Sequence, residues 1–236
     1  MVTVQQRPRG AGVRRLRNTS LQLKILMAVT GAIVVLYLLL HMIGNLKIFL
    51  GQNALDTYAA FLRTMGEPAL PYSTLLWIIR VVLTMSIVLH IVSAVILARR
   101  AARARPVKYA ARPKTEGSYA ARTMRWGGVI ILLFIVWHIL DLTTGTLNPN
   151  GVSGAVYDNV VTDFAPSRWY ITLLYTVAVI AVGLHLRHGV WSALQTLGYS
   201  NGARQHVLQT ISWVFALVLT VGFLSVPFAV TFGLVG

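Results

Sequence analysis

The chain has 236 residues, 56% of them hydrophobic and 11% charged, with no cysteine and a formal net charge of +15. This is the composition of a membrane protein, and without thiols the chain cannot form disulfides, ligate an iron–sulfur cluster by thiolate or attach a c-type haem covalently. Most of the positive charge lies in loops that alternate with acidic ones, so it reads as membrane topology and contact with anionic lipid or a cytoplasmic partner, not as nucleic-acid binding.

Residues 1–20 are polar and Arg-rich and carry Pro8, Gly10 and Gly12; they read as a flexible basic cytoplasmic tail. Residues 21–236 read as one membrane domain, since no loop is long enough to hold a soluble one. Its apolar stretches cover about 23–50, 74–97, 126–147, 169–197 and 207–235. Each reaches the ~20 residues that cross ~30 Å of hydrocarbon as a helix, and lipid leaves the helix as the workable conformation for such segments. The first stretch is too long for a signal peptide and lacks a small-residue cleavage pattern after it, so it reads as a retained helix.

After the first segment, Asp56, Tyr58, Phe61 and Arg63 suggest a short amphipathic interfacial helix. Pro68 and Pro71 punctuate the entry to the second segment. Pro106 and Pro113 interrupt the basic loop that follows it. Asn148-Pro149-Asn150-Gly151 marks a turn after the third segment, and the run from Leu197 to Gly202 marks another after the fourth. Gly222 and Pro227 predict a bend in the fifth. Trp77, Trp126, Trp169 and Trp213 fall near segment ends, where interfacial aromatics belong.

Arg7, Arg9, Arg14, Arg15, Arg17 and Lys24 lie in the tail or at its junction, and nine further Lys/Arg lie within 99–125. The acids Asp56, Glu67, Asp141, Asp158 and Asp163 lie elsewhere. By the positive-inside rule the N-terminus, the 99–125 loop and the loop around Arg204 face the cytoplasm. The loops near 51–72 and 148–167 and the C-terminus face outward. The expected fold is therefore all-α, with five transmembrane helices: an antiparallel four-helix bundle plus a fifth helix.

Four histidines, His41, His90, His138 and His185, occupy the first four segments, one in each. An imidazole is costly in hydrocarbon, and its repetition helix by helix points to a group held between helices. Depth sorts the four. His41 lies ~25 Å along an outward-running helix and His138 ~20 Å along another. His90 lies ~14 Å from the cytoplasmic end of the second helix, and Arg187 follows His185 closely on the fourth. The expected pairs are His41 with His138 in the outer half and His90 with His185 in the inner half. Two imidazoles on facing helices can clamp one haem iron, so the four could hold two haems. A lone intramembrane histidine is more often a satisfied packing residue; the case for ligation rests on the four together.

Arg187 is a candidate partner for propionates at the inner position, and Arg80, Lys47 and Arg168 at the outer. Snorkelling to the interface explains Lys47 and Arg168 equally well. Asp141 is a candidate for exchanging protons with a quinone, for orienting a histidine or propionate, or for capping the wet end of its helix. His188 is a candidate for a propionate, a quinone pocket or an ordinary helix interface, and Glu67 for a quinone. His206 begins the fifth helix at the surface and reads as solvated. Gly44, Gly127 and Gly189 lie near the histidine faces, where they would admit a macrocycle or a neighbouring helix.

The run His41-Met42-Ile43-Gly44-Asn45-Leu46, followed by Phe49, Gly51, Ala54, Tyr58 and Phe61-Leu62-Arg63, and the run from His185 to Gly198 (HLRHGVWSALQTLG) carry a resemblance. Over about residues 20–235 the chain resembles the single-chain, di-haem cytochrome b membrane-anchor subunit of bacterial succinate dehydrogenase/fumarate reductase (complex II). The resemblance implies two haems b, ligated by His41 with His138 and by His90 with His185. It implies a flavoprotein and an iron–sulfur subunit docked on the cytoplasmic face of the cell membrane, and electron exchange with a quinone, menaquinone by analogy. Succinate chemistry would belong to the flavoprotein. Some members carry a glutamate two residues before the fourth-helix ligand, proposed to carry protons; here that position is Gly183. The alternatives are a haem-b anchor of another respiratory oxidoreductase, a polytopic transporter without haem, and a different metal centre completed by a partner's cysteines.

Overall fold

The structure, a computed structural model, describes residues 19–104, 116–199, 201 and 203–236, with side chains described outside 116–123. Residues 1–18, which form most of the expected tail, lie outside this description, as do Pro106 and Pro113 in the basic loop. All regular structure among the described residues is helical.

The first helix, α1 (Ser20–Asn45), starts at a reciprocal cap. Thr19 Oγ1 accepts from the Gln22 backbone N–H at 3.2 Å, and Gln22 Oε1 accepts from the Thr19 N–H at 2.8 Å. The Thr-x-x-Gln signal satisfies two N–H groups that the first helical turn otherwise leaves open, which sets the start three residues before the apolar run. A 3-10 turn (Leu46–Leu50) follows and stops at Gly51, whose φ of 89° suits a residue without a Cβ. The expected interfacial helix is present as α2 (Gln52–Thr64). Next come α3 (Thr74–Arg103) and α4 (Glu116–His138), the latter running into one π-helical turn (Ile139–Thr143). The loop that follows contains a short helix, α5 (Val156–Asp163), which the sequence pattern did not signal. A 3-10 turn (Pro166–Arg168) leads into α6 (Trp169–Thr196), and α7 (Gln205–Thr231) carries Pro227 within it.

Five helical spans, of 31, 30, 20, 31 and 27 residues, are long and apolar enough to cross a membrane. Large apolar side chains such as Leu36, Val81, Leu133, Val177 and Leu217 stand exposed along all five. In water such surfaces would drive association; in hydrocarbon they cost nothing. The chain is accordingly a multi-pass membrane protein.

α1 packs against α3, and α6 against both α7 and α4, while α1 also touches α6 and α7. Arg100 near the end of α3 donates to Ser20 at the start of α1, so these two helices run antiparallel. The hydrogen bond between Thr172 and Thr231 shows the same for α6 and α7. α2 and α5 pack together at one end of the molecule. There a cluster of Ile48, Leu55, Phe164, Ile171, Tyr175, Val226 and Val230 closes the interior. A second cluster of Met42, Leu186, Ala216 and Leu219 joins α1, α6 and α7.

Small residues set the closest approaches. On α3, Ser86, His90 and Ser93 follow at helical spacing; both serines are buried. A Cβ on Gly31 of α1 would stand 3.3 Å from the His90 ring, so glycine there admits the imidazole. A Cβ on Gly44 would stand 2.7 Å from the Tyr58 ring, so glycine there admits the tyrosine of α2. Gly127 and Gly189 have nothing within 4 Å of such a position.

Candidate functional site

The helices bring the four intramembrane histidines together as two pairs. The ring centres of His41 and His138 are 5.8 Å apart, with planes at 77°. Those of His90 and His185 are 6.2 Å apart, with planes at 61°. Two imidazoles bonded to one metal from opposite sides, with metal–nitrogen bonds of about 2 Å, hold their centres about 6 Å apart. Each pair also joins helices that are not close-packed neighbours. The extensive backbone contacts of this group are α1–α3, α1–α6 and α4–α6, whereas the histidines meet across α1–α4 and α3–α6.

Hydrogen bonds fix which nitrogen is free. His90 Nδ1 lies 3.0 Å from the carbonyl oxygen of Met27. A carbonyl only accepts, so Nδ1 carries the proton and Nε2 presents its lone pair. In the other pair, Tyr175 donates its O–H to Asp141 Oδ2 at 2.8 Å. The same tyrosine oxygen lies 3.2 Å from His138 Nδ1. With its one hydrogen committed to Asp141, Tyr175 accepts from His138 Nδ1–H, again leaving Nε2 free. Holding one ring nitrogen by a hydrogen bond and freeing the other is how proteins prepare a histidine ligand. Among the described residues, the buried His185 Nδ1 has no hydrogen-bond partner.

Aromatic rings enclose the His41–His138 pair. Tyr37, one turn before His41, stacks on it at 5.3 Å and 11°. Phe223 of α7 stands 5.9 Å from His41, and Phe134 stands 5.7 Å from His138. Among the described residues no group of three or more His, Cys, Asp or Glu side chains is arranged to hold a metal ion. A metal at either histidine pair would draw its remaining ligands from elsewhere. The free Nε2 atoms of His90 and His138, and the spacing of both pairs, fit a metal that carries its own equatorial ligands.

The candidate cations are placed less uniformly. The Arg187 guanidinium is exposed and lies over the Trp213 ring of α7 at 4.0 Å. The exposed Arg80 lies over Trp77 at 4.9 Å, and Lys47 Nζ stands 5.2 Å from the Tyr58 ring centre. Arg168 is not a snorkelling cation: its side chain is 13% exposed and binds Asp163 at 2.8 Å, with a longer contact to Asn148 at 3.5 Å. Its charge is already matched.

Asp141 does not cap a wet helix end, for it is 1% exposed. The π turn, closed by a Thr144 N–H to Ile139 C=O bond of 2.8 Å, widens the helix just after His138 and sets Asp141 against Tyr175. Beside Asp141 lies Asp163, fully buried at the end of α5. Burial and the Asp141 carboxylate push the Asp163 carboxyl up to about 7, against the opposing pull of Arg168. His188 is half-buried with its ring 5.8 Å from Trp191, and Glu67 is exposed in the loop before α3. His206 is exposed.

Tyr175, Asp163, Tyr37 and Gly31 are the residues that sequence reasoning missed. Tyr37 and Phe134 each stand four residues before a paired histidine, a spacing that places them on the ligand face. Tyr175 carried the signal of a hydroxyl within an apolar run, which needs a partner when buried. No signal linked Asp163 to Asp141. Against known protein families, curated proteins and solved structures, the chain shows no significant match.

Proposed function

We propose that this chain is the di-haem cytochrome b membrane anchor of a succinate:quinone oxidoreductase of the complex II type. Two pairs of imidazoles, each spaced to hold one metal between them and each with one ring oriented by a hydrogen bond, carry this reading. The resemblance of the His41 and His185 runs adds the family. In it, α1, α3, α4 and α6 form an antiparallel haem-binding bundle, with α7 as the fifth helix. His41 and His138 hold the outer haem b, and His90 and His185 the inner one.

Haem b, when bound, supplies one-electron chemistry, at a potential set by its ligands, their hydrogen bonds and burial. The chain's residues do the rest. Met27 and Tyr175 orient His90 and His138. Tyr37, Phe134 and Phe223 keep water from the outer pair. The basic end of α3, with Arg99, Arg100 and Arg103, faces the cytoplasm, where a flavoprotein and an iron–sulfur subunit would dock. Membrane quinone, menaquinone by analogy, is the other electron partner. Arg80 and Lys47 remain propionate candidates at the outer haem, and Arg187 at the inner. Asp141, His188 and Glu67 remain quinone candidates. The glutamate-based proton path of some members has no counterpart at Gly183, where a Cβ would collide with Thr220 of α7.

Haem stoichiometry tests the proposal. The purified protein is expected to carry two b-type haems per chain by pyridine haemochrome and reduced-minus-oxidised spectra. Substituting His90 or His185 by alanine should remove one and leave the other's spectrum intact. A preparation without b-type haem would sink the cytochrome reading. Co-purification of flavin and iron–sulfur subunits separates complex II from other respiratory enzymes that use a haem-b anchor.

A further inference from the structure

Asp141 and Asp163 reach one buried spot from distant parts of the chain. Asp141 comes from the π turn that ends α4, and Asp163 from the last residue of α5. Phe164, next in the chain to Asp163, packs edge-on against Tyr175 at 4.8 Å, and Tyr175 in turn holds Asp141 at 2.8 Å, so both carboxyls stand at the same tyrosine; the residues are 1% and 0% exposed. Two carboxylates cannot donate to one another, and their like charges repel strongly where water is excluded. The groups around them supply too little positive charge. Arg168 contributes one guanidinium, at 2.8 Å from Asp163. Tyr175 contributes a neutral hydroxyl to Asp141.

Titratable groups on the neighbouring elements are committed elsewhere. Asp56 of α2 accepts from the Tyr157 backbone N–H at 3.0 Å. Asp158 of α5 holds the Gln52 amide at 3.2 Å. Lys47 lies over Tyr58. His138 stands behind Tyr175, one hydrogen bond further on. Among the described residues, neither Asp141 Oδ1 nor Asp163 Oδ2 has a hydrogen-bond partner. Two acids against one arginine leave one negative charge, and a proton between the carboxyls both cancels it and supplies the missing donor.

We propose that Asp141 and Asp163 form a carboxyl dyad that binds a single exchangeable proton, and that Tyr175 links the dyad's occupancy to the charge at His138. The link rests on the cytochrome reading; the dyad itself does not. Were a haem held at His138 to take up one electron from a low-potential donor, the negative charge added there would favour transfer of one proton from the outer aqueous phase to a carboxylate oxygen of the dyad. An O–H bond forms there, and on oxidation the same proton leaves. The position of Asp163, raised to about 7, places this exchange in the physiological range.

Infrared spectroscopy of the full chain in detergent tests the dyad without any cofactor. A protonated-carboxyl C=O band is expected at pH 6, fading as pH rises through neutrality. It should vanish in Asp141→Asn and in Asp163→Asn, and persist in Asp163→Glu. Absence of the band at pH 6, or its survival in either asparagine variant, would overturn the dyad. A redox titration tests the link. The outer midpoint potential should fall by about 59 mV per pH unit above pH 7, the one-electron equivalent of a tenfold change in proton activity. Asp163→Asn should flatten that slope. A titrating band with a pH-independent potential in the wild type overturns the link and keeps the dyad. A titrating band in a protein that binds no haem refutes the cytochrome reading and, with it, the link.

Discussion

Tyr175 joins a proposed iron ligand to a buried acid pair through one oxygen, so its removal has separable effects. Tyr175→Phe keeps the ring and deletes the acceptor for His138 Nδ1–H and the donor to Asp141. Leaving buried groups unpaired costs about 1–3 kcal/mol, and losing the hydrogen bond that orients a metal-bound histidine weakens metal binding by about 10–100-fold. The expected outcome is weaker retention of the outer haem and a raised outer potential, because the imidazole becomes a poorer electron donor. Spectroelectrochemistry reads both; an unchanged outer potential would exclude a positioning role. Asp163 adds a pH dependence. Its carboxyl is raised from 3.8 to about 7 by folding, so its stabilising contribution is complete below about pH 4 and is lost as pH rises through 7. The thermal midpoint in detergent should carry a falling component between about pH 4 and pH 7 that levels off above 7, and that component should be absent in Asp163→Asn.

At the scale of elements, Gly183 shows how helix packing constrains chemistry. It is buried on α6, facing Thr220 of α7 in the most extensive helix contact of the molecule. Gly183→Ala should destabilise the protein by about 1–3 kcal/mol through overpacking, and Gly183→Glu by more, read as loss of folded protein in fluorescence-detected size exclusion. Folding of the glutamate variant at wild-type yield would refute this packing argument. The helices themselves were largely legible. All five long spans follow from apolar runs, and α2 from its amphipathic loop. α5 was not, because eight residues bounded by ordinary loop chemistry carry too short a pattern. The π turn was also silent, since no residue type marks a one-residue register shift within a helix.

For the whole molecule, the proposed topology has a direct check. The chain has no cysteine, so single introduced thiols can be labelled without background. Ser153→Cys is expected to react with an impermeant maleimide from outside, and Thr115→Cys only after the membrane is opened; the reverse pattern would invert the assignment. The sequence alone determined that the chain is all-helical and membrane-spanning, which segments cross, and that four of them carry one costly imidazole each. Those properties follow from local apolar runs and residue identity, which lipid reads segment by segment. Only the tertiary structure decided that the imidazoles of each depth layer stand 5.8 and 6.2 Å apart, and which nitrogen of His90 and His138 is free. It also decided that Arg168 is committed to Asp163 and that Asp163 lies beside Asp141. Such facts depend on how helices distant in sequence rotate against each other, and periodicity along one segment carries no information about its neighbour.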